Sequence, residues 1–179
     1  GWYTHNPTLV YLTYVIYMTI LKRMFNFSLL PESVTNEFSG SKIALWGFVA
    51  FVALMTWRSI IHMFFEEYGL HGIANFIVFN GDPDPNPVIY RFFSLWGLEQ
   101  LIICALCWIV IFKYRSLIPL MYLFWILEWG VRVFYYPNFK QSIDPNLYTT
   151  GLTPGAEGAP YAFILLIVLF LLSIKTNSK

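Results

Sequence analysis

SKIALWGFVAFVALMTWRSIIHMFFEEY, residues 41–68, runs apolar and uncharged from Ile43 to Trp57 and then carries Arg58, His62, Glu66 and Glu67. An α-helix crosses ~30 Å of hydrocarbon with ~20 mostly apolar residues, so the run is long enough to span a bilayer. Ionisable groups inside such a span face the interior of a bundle or a polar cavity, where they find partners. The stretch therefore predicts a membrane helix whose end carries a polar face.

The rest of the chain repeats the pattern. Of 179 residues, 58% are hydrophobic, 20% aromatic and only 12% charged, and long uncharged runs rather than scattered core positions carry that bias. The sequence predicts an all-α integral membrane bundle of about five transmembrane helices in one domain, residues 1–179. The expected spans are residues 7–27, 41–68, 89–112, 116–135 and 160–174, with long connections at 69–88 and 136–159. Pro7 and Pro160 stand at helix starts, where a missing N–H costs nothing. Ser116 is expected to cap the fourth helix, with Pro119 in its first turn. The apolar stretch LHGIANFIVF is expected to lie on the membrane surface, and the two long connections to form an ordered cap.

Direction follows from the basic residues. Lys22, Arg23, Lys42, Lys113, Arg115, Lys175 and Lys179 all fall in connections on one side, whereas the other side is acidic or nearly neutral. The positive-inside rule then puts the N-terminus outside and the C-terminus in the cytoplasm, if the host is a bacterium or archaeon. A formal net charge of +1 offers no basic footprint for nucleic acid, so the lipid bilayer and other membrane subunits are the expected partners.

Helical rise converts spacing into depth. From the basic anchors, Arg58 lies ~24 Å above Lys42, Glu99 ~21 Å above Lys113, Glu128 ~20 Å and Arg132 ~25 Å above Arg115. Two arginines and two glutamates from three helices thus reach one level, with His62 a turn above Arg58 and Glu66 a further turn up. Glu128 and Arg132 form an i,i+4 pair, and Arg58 and His62 share a face with Gly47 and Ala50, whose small size favours close packing. Arg58, His62, Glu66, Glu99, Glu128 and Arg132 are the candidate polar pocket. Three readings stay open: a neutral salt-bridge network fixing helix register, a metal site on His62, Glu66, Glu99 and Glu128, or a pocket for an anionic or polar head group held by both arginines.

Other motifs carry less. Alternate Asp82, Asp84 and Asn86 begin like a calcium loop, but Pro87 and Phe93 stand where its glycine and closing acid belong. Cys104 and Cys107 have redox spacing yet lie mid-span, and so read as small buried hydrophobes. His71 is a loop histidine, expected to be satisfied by backbone rather than to ligate haem with His62.

KYRSLIPLMYLFWILEWGVR, residues 113–132, resembles a run in small, uncharacterised bacterial inner-membrane proteins. His62, Trp96–Gly97 and Pro154–Gly155 are similar to features of the same family. The resemblance implies a bacterial inner-membrane origin and a similar helix count, and brings no catalytic residue. The expected function is a non-enzymatic accessory subunit of a larger membrane complex. Its support is an aromatic surface at lipid depth (Trp46, Trp57, Trp108, Trp125 and Trp129) suited to helix, pigment or quinone contacts. The alternative is a membrane enzyme or ligand carrier, with Glu99 or Glu128 as proton acceptor, His62 as acid/base and Arg58 or Arg132 as anion clamp.

Overall fold

The computed structural model describes residues 11, 29, 31, 33–139 and 143–174, and every regular element among them is helical. The long elements are α1 (Lys42–Phe64), α2 (Asn86–Lys113) and α3 (Ile118–Gly130). A 3-10 turn, Arg115–Leu117, leads into α3, and a π-helical segment, Val131–Tyr135, carries it on into the short α4 (Tyr136–Phe139). Two more single turns, α5 (Pro145–Tyr148) and α6 (Pro154–Glu157), precede α7 (Ala159–Ile174). Among the described residues, Lys42–Phe64, Asn86–Lys113 and Arg115–Phe139 are long and apolar enough to cross a membrane, and α7 is a shorter apolar helix. The chain is a helical membrane bundle; the expected span at residues 7–27 lies outside the described residues, Tyr11 apart.

Local chemistry sets the helix ends. Ser41 Oγ accepts Ala44 N–H at 3.2 Å and caps α1. At its other end α1 stops at Phe64, short of the expected Tyr68. Phe65 leaves the helical region (φ −133°, ψ 45°), and a π-helical turn, Tyr68–Ile73, follows. Pro119 falls in the first turn of α3 as expected, but Ser116 does not cap it. Leu117 holds the cap position, and Ser116 Oγ accepts Thr35 N–H at 3.0 Å instead. The hydroxyl serves a chain crossing over it rather than its own helix.

α1 turns Ala44, Phe48, Val52, Met55, Ser59 and His62 into the bundle, a stripe at steps of three and four. Ala50, expected on the inward face, is exposed, because the face that meets α2 is set by this larger stripe. α2 answers with Gly97, Gln100, Cys104 and Cys107. At Gly97 the two backbones nearly touch: an added Cβ would sit 2.5 Å from Met63 N and 2.8 Å from His62 C. Ser94 Oγ donates to Met63 O (2.8 Å) beside this crossing. α7 packs on α3 and also meets α1, and Tyr122 Oη donates to Ala44 O at 2.7 Å to tie α3 to α1. α2 and α3 touch each other little, so a groove opens between them.

The two long connections meet at one end. Ile77 N–H donates to Tyr148 O (3.0 Å), Thr150 N–H to Asn75 O (2.8 Å) and Asn75 Nδ2 to Leu152 O (2.6 Å). Asn75 takes φ 60°, a left-handed conformation asparagine tolerates. LHGIANFIVF thus begins as the π-helical turn, with Leu70 buried, and goes on into this clasp. The clasp closes the bundle end opposite Lys42, Lys113 and Arg115.

Replacing Gly97 with alanine should lower stability by about 1–3 kcal/mol, because the new methyl meets backbone that cannot turn aside. Gly155→Ala, whose Cβ would meet only Arg58 Nη2 at 3.9 Å, should be close to neutral. Thermal unfolding in mild detergent compares the two, and equal melting points would contradict the close crossing.

Candidate functional site

Below the clasp, α1, α2 and α3 bring their polar groups together. Arg58 Nη1 donates to Gln100 Oε1 at 3.3 Å, and Gln100 Nε2 donates to Glu128 Oε1 at 3.0 Å. The same oxygen accepts Arg132 Nε at 2.9 Å and forms the ion pair with Arg132 Nη2. One carboxylate oxygen therefore ends a chain of side chains drawn from three helices. The spacing that joins Glu128 to Arg132 is the favourable i,i+4 order, here at the point where α3 passes into its π-helical segment. Single-turn π segments recur at functional sites because they re-aim the side chains that follow them.

Two indoles flank the arginines. The Arg58 guanidinium carbon lies 4.8 Å from the centre of the Trp96 ring and 5.9 Å from that of Trp129. Arg132 lies 5.0 Å from each. A desolvated cation over an indole face gains about 2 kcal/mol, which offsets part of the cost of holding charge at this depth. His62 packs its ring 4.3 Å from Phe93 and 4.7 Å from Trp96, a turn above.

The structure brings together Arg58, Glu128 and Arg132, with His62 stacked beside them, and leaves Glu99 and Glu66 out. Glu99 is exposed on α2 with Leu95 and Ile102 and does not line the cavity between α2 and α3. Its neighbour Gln100, 100° round the helix, takes the inward place. Glu66 lies past the break at Phe65 and makes no bond to the cluster among the described residues. The expected balance of two arginines and two glutamates is thus corrected: two guanidiniums face one carboxylate, a local charge of +1. The metal reading loses its ligands for the same reason. No group of three His, Cys, Asp or Glu among the described residues is placed to hold an ion.

Several buried polar atoms at the cluster lack a partner. His62 Nδ1, Glu128 Oε2 and Trp129 Nε1 are three of the four such side-chain atoms found among the described residues. His62 is 8% exposed and Trp129 6%. An unmet donor or acceptor in such a place costs about 1–3 kcal/mol, so their concentration at one level marks it as something other than packing.

The residues His62, Glu128 and Trp129 line one cavity of about 1770 Å3. α1 forms its floor, and Thr153–Gly155 reach over it from the clasp. The rest is apolar: Ile103, Leu106 and Ile109 from α2 face Met121, Phe124 and Leu127 from α3, down to Tyr114 and Leu117 at the basic end. Leu106, Phe124 and Leu127 are themselves exposed, so among the described residues the groove opens sideways. The volume exceeds the roughly 300–1,000 Å3 of a drug-sized pocket.

Other candidates fall into structural roles. His71 is held at both nitrogens, Nδ1 by Phe76 O (2.8 Å) and Nε2 by Tyr90 Oη (2.7 Å), and has no nitrogen left for haem. Asp84 Oδ1 accepts Asn86 N–H (3.0 Å) and Nδ2 (2.6 Å), an Asx turn that starts α2. Cys104 and Cys107 are buried free thiols. Of the five tryptophans expected to face lipid, only Trp46 and Trp57 are exposed. Trp125 and Trp129 are core, and Trp108 Nε1 donates to Thr56 Oγ1 at 3.0 Å.

Comparison with protein families, curated proteins and solved structures found no match.

Glu128→Gln should destabilise the bundle by about 1–3 kcal/mol, since it strips two guanidiniums of their one counter-charge. Glu99→Gln should leave the melting point of the isolated chain unchanged. Equal losses for both would place the carboxylates at the same site and contradict this geometry.

Proposed function

We propose that the chain is a membrane ligand-binding protein whose ligand is an amphiphile with an anionic head, the head lying against Arg58 and Arg132 and the chain in the groove between α2 and α3. The observation that carries this is the uncompensated charge. A half-buried site with two guanidiniums to one carboxylate and an indole N–H unpartnered among the described residues suits an anion, and it sits at the head of an apolar cavity. Guanidinium groups suit carboxylate, phosphate and sulfate oxygens, which they can engage through parallel N–H groups. Glu128 is committed to Arg132 and Gln100, so the reading is one of binding.

The bias of Lys and Arg to the connections at one end supports an orientation with the clasp outside, and the resemblance of residues 113–132 implies a bacterial inner membrane. A second reading, an accessory subunit of a larger complex, draws on Glu99. A carboxylate exposed beside Leu95 and Ile102 at this depth finds a donor in a neighbouring helix and none in lipid tails. On that reading Glu99→Leu would release a co-purifying partner.

The binding reading is tested by thermal unfolding of the purified chain in neutral detergent, titrated with phosphatidylglycerol or phosphatidylcholine of identical chains. Only the anionic lipid should raise the midpoint. Trp129→Phe keeps a ring beside the arginines and removes one N–H that no atom of the described residues accepts. It should leave the lipid-free midpoint within about 1 °C and weaken phosphatidylglycerol binding about tenfold, the worth of a hydrogen bond to a charged group. Equal responses to both lipids, or unchanged affinity in Trp129→Phe, would contradict the site.

A further inference from the structure

Glu99, the carboxylate that the polar cluster leaves out, is an unmet demand on the outside of the bundle. It stands thirteen residues after Asn86 and fourteen before Lys113 in α2, ~20 Å from either end and well inside ~30 Å of hydrocarbon. Among the described residues it makes no hydrogen bond or ion pair. Val88, Phe92, Leu95 and Ile102 share its side of the helix at steps of three and four, and all are exposed. None of them lines the cavity between α2 and α3. A face that met only lipid tails would have no use for an ionisable group at this depth, where such groups are costly and turn toward partners.

Carboxyl chemistry and the geometry of a bilayer point to what covers this face. Copies of a chain with its basic residues at one end insert in one direction. A symmetric pair of them has its two-fold axis along the membrane normal, so a residue near that axis meets its own counterpart at its own depth. A carboxylic acid group holds an O–H donor and acceptor oxygens, so two of them face to face supply what each lacks. The proton held between them keeps two like charges from meeting. A different chain would have to bring a donor of its own to the same level. Within this one, Arg58 and Arg132 are turned inward onto Gln100 and Glu128.

We infer that α2 pairs with α2 of a second copy of this chain along Val88, Phe92, Leu95, Glu99 and Ile102, the two Glu99 side chains hydrogen-bonded across the two-fold axis. A single polar side chain on an apolar seam of this spacing sets register and copy number. The step rests on the subunit reading of Glu99 and names the partner.

Disulfide cross-linking of the full chain in its own membranes, with a membrane-permeant oxidant, tests the pairing. Ile102→Cys should give a covalent dimer, and Leu165→Cys, exposed on α7, should not. The native Cys104 and Cys107 are buried, so wild type is the blank. Dilution of the purified chain in neutral detergent then measures association. Glu99→Leu should weaken it about tenfold, the worth of a hydrogen bond between membrane helices. Glu99→Gln, whose carboxamide also donates and accepts, should stay within about threefold of wild type. Cross-linking from Leu165→Cys as readily as from Ile102→Cys, or equal association of wild type and Glu99→Leu, overturns the pairing. A single copy that carries a foreign protein and loses it in Glu99→Leu also overturns it, and leaves the subunit reading standing. A single copy with no protein partner overturns both.

Discussion

One carboxylate oxygen holds the polar level of this bundle together. Glu128 Oε1 takes Arg132 from its own helical run and Gln100 from α2, and Gln100 takes Arg58 from α1. Away from water each of these groups is expensive alone. An intramembrane guanidinium costs several kcal/mol or more without a partner, and an isolated carboxylate comparably so. Linked, they share one charge balance and fix how far α3 stands from α2. The groove between those helices exists because a side-chain bridge, rather than direct helix packing, spans the gap.

The other contacts serve that arrangement. The crossing at Gly97 brings α1 against α2 closely enough for Arg58 and Gln100 to meet, and Trp96 on the same turn stacks on both arginines. α7 backs α3 from the far side, and Tyr122 anchors α3 to the start of α1. The clasp between residues 74–77 and 148–153 holds Gly155 near Arg58 without covering the lateral opening. Among the described residues the cluster is packed on three sides and open on the fourth, the side from which the proposed ligand would enter.

Much of this was legible in the sequence, and the failures have specific causes. Apolar run length located α1, α2 and the run from Arg115, and helical rise put Arg58, Glu128 and Arg132 at one level. Depth, however, says nothing about which way a side chain faces. Glu99 and Gln100 share a depth and differ by 100° in direction, and charge alone points to Glu99, the one that faces away. The signal that separates them was present: Gly97, Gln100, Cys104 and Cys107 form a stripe of small and polar residues at helical spacing, whereas Glu99 keeps company with Leu95 and Ile102. Trp125 and Trp129 were misplaced in the same way, since composition marks tryptophan as interfacial and only the position of α7 and α1 shows them to be core. The break at Phe65 and the π-helical turn after it leave no mark in the hydrophobic pattern. The crossover of Thr35 on Ser116 is a contact between residues 81 apart in the chain, beyond any local rule.

The claim on which the account stands is that an anionic amphiphile completes a site the protein leaves with excess positive charge. Native mass spectrometry of the chain, extracted from its own membranes in mild detergent, tests it most directly. The account predicts a population heavier than the bare chain by one lipid, identified on release as anionic, and lost in Arg58→Gln while the variant keeps its melting transition. A chain that flies at its bare mass, or that carries zwitterionic lipid equally in wild type and variant, would contradict it, and a stoichiometric protein partner in place of lipid would favour the subunit reading through Glu99.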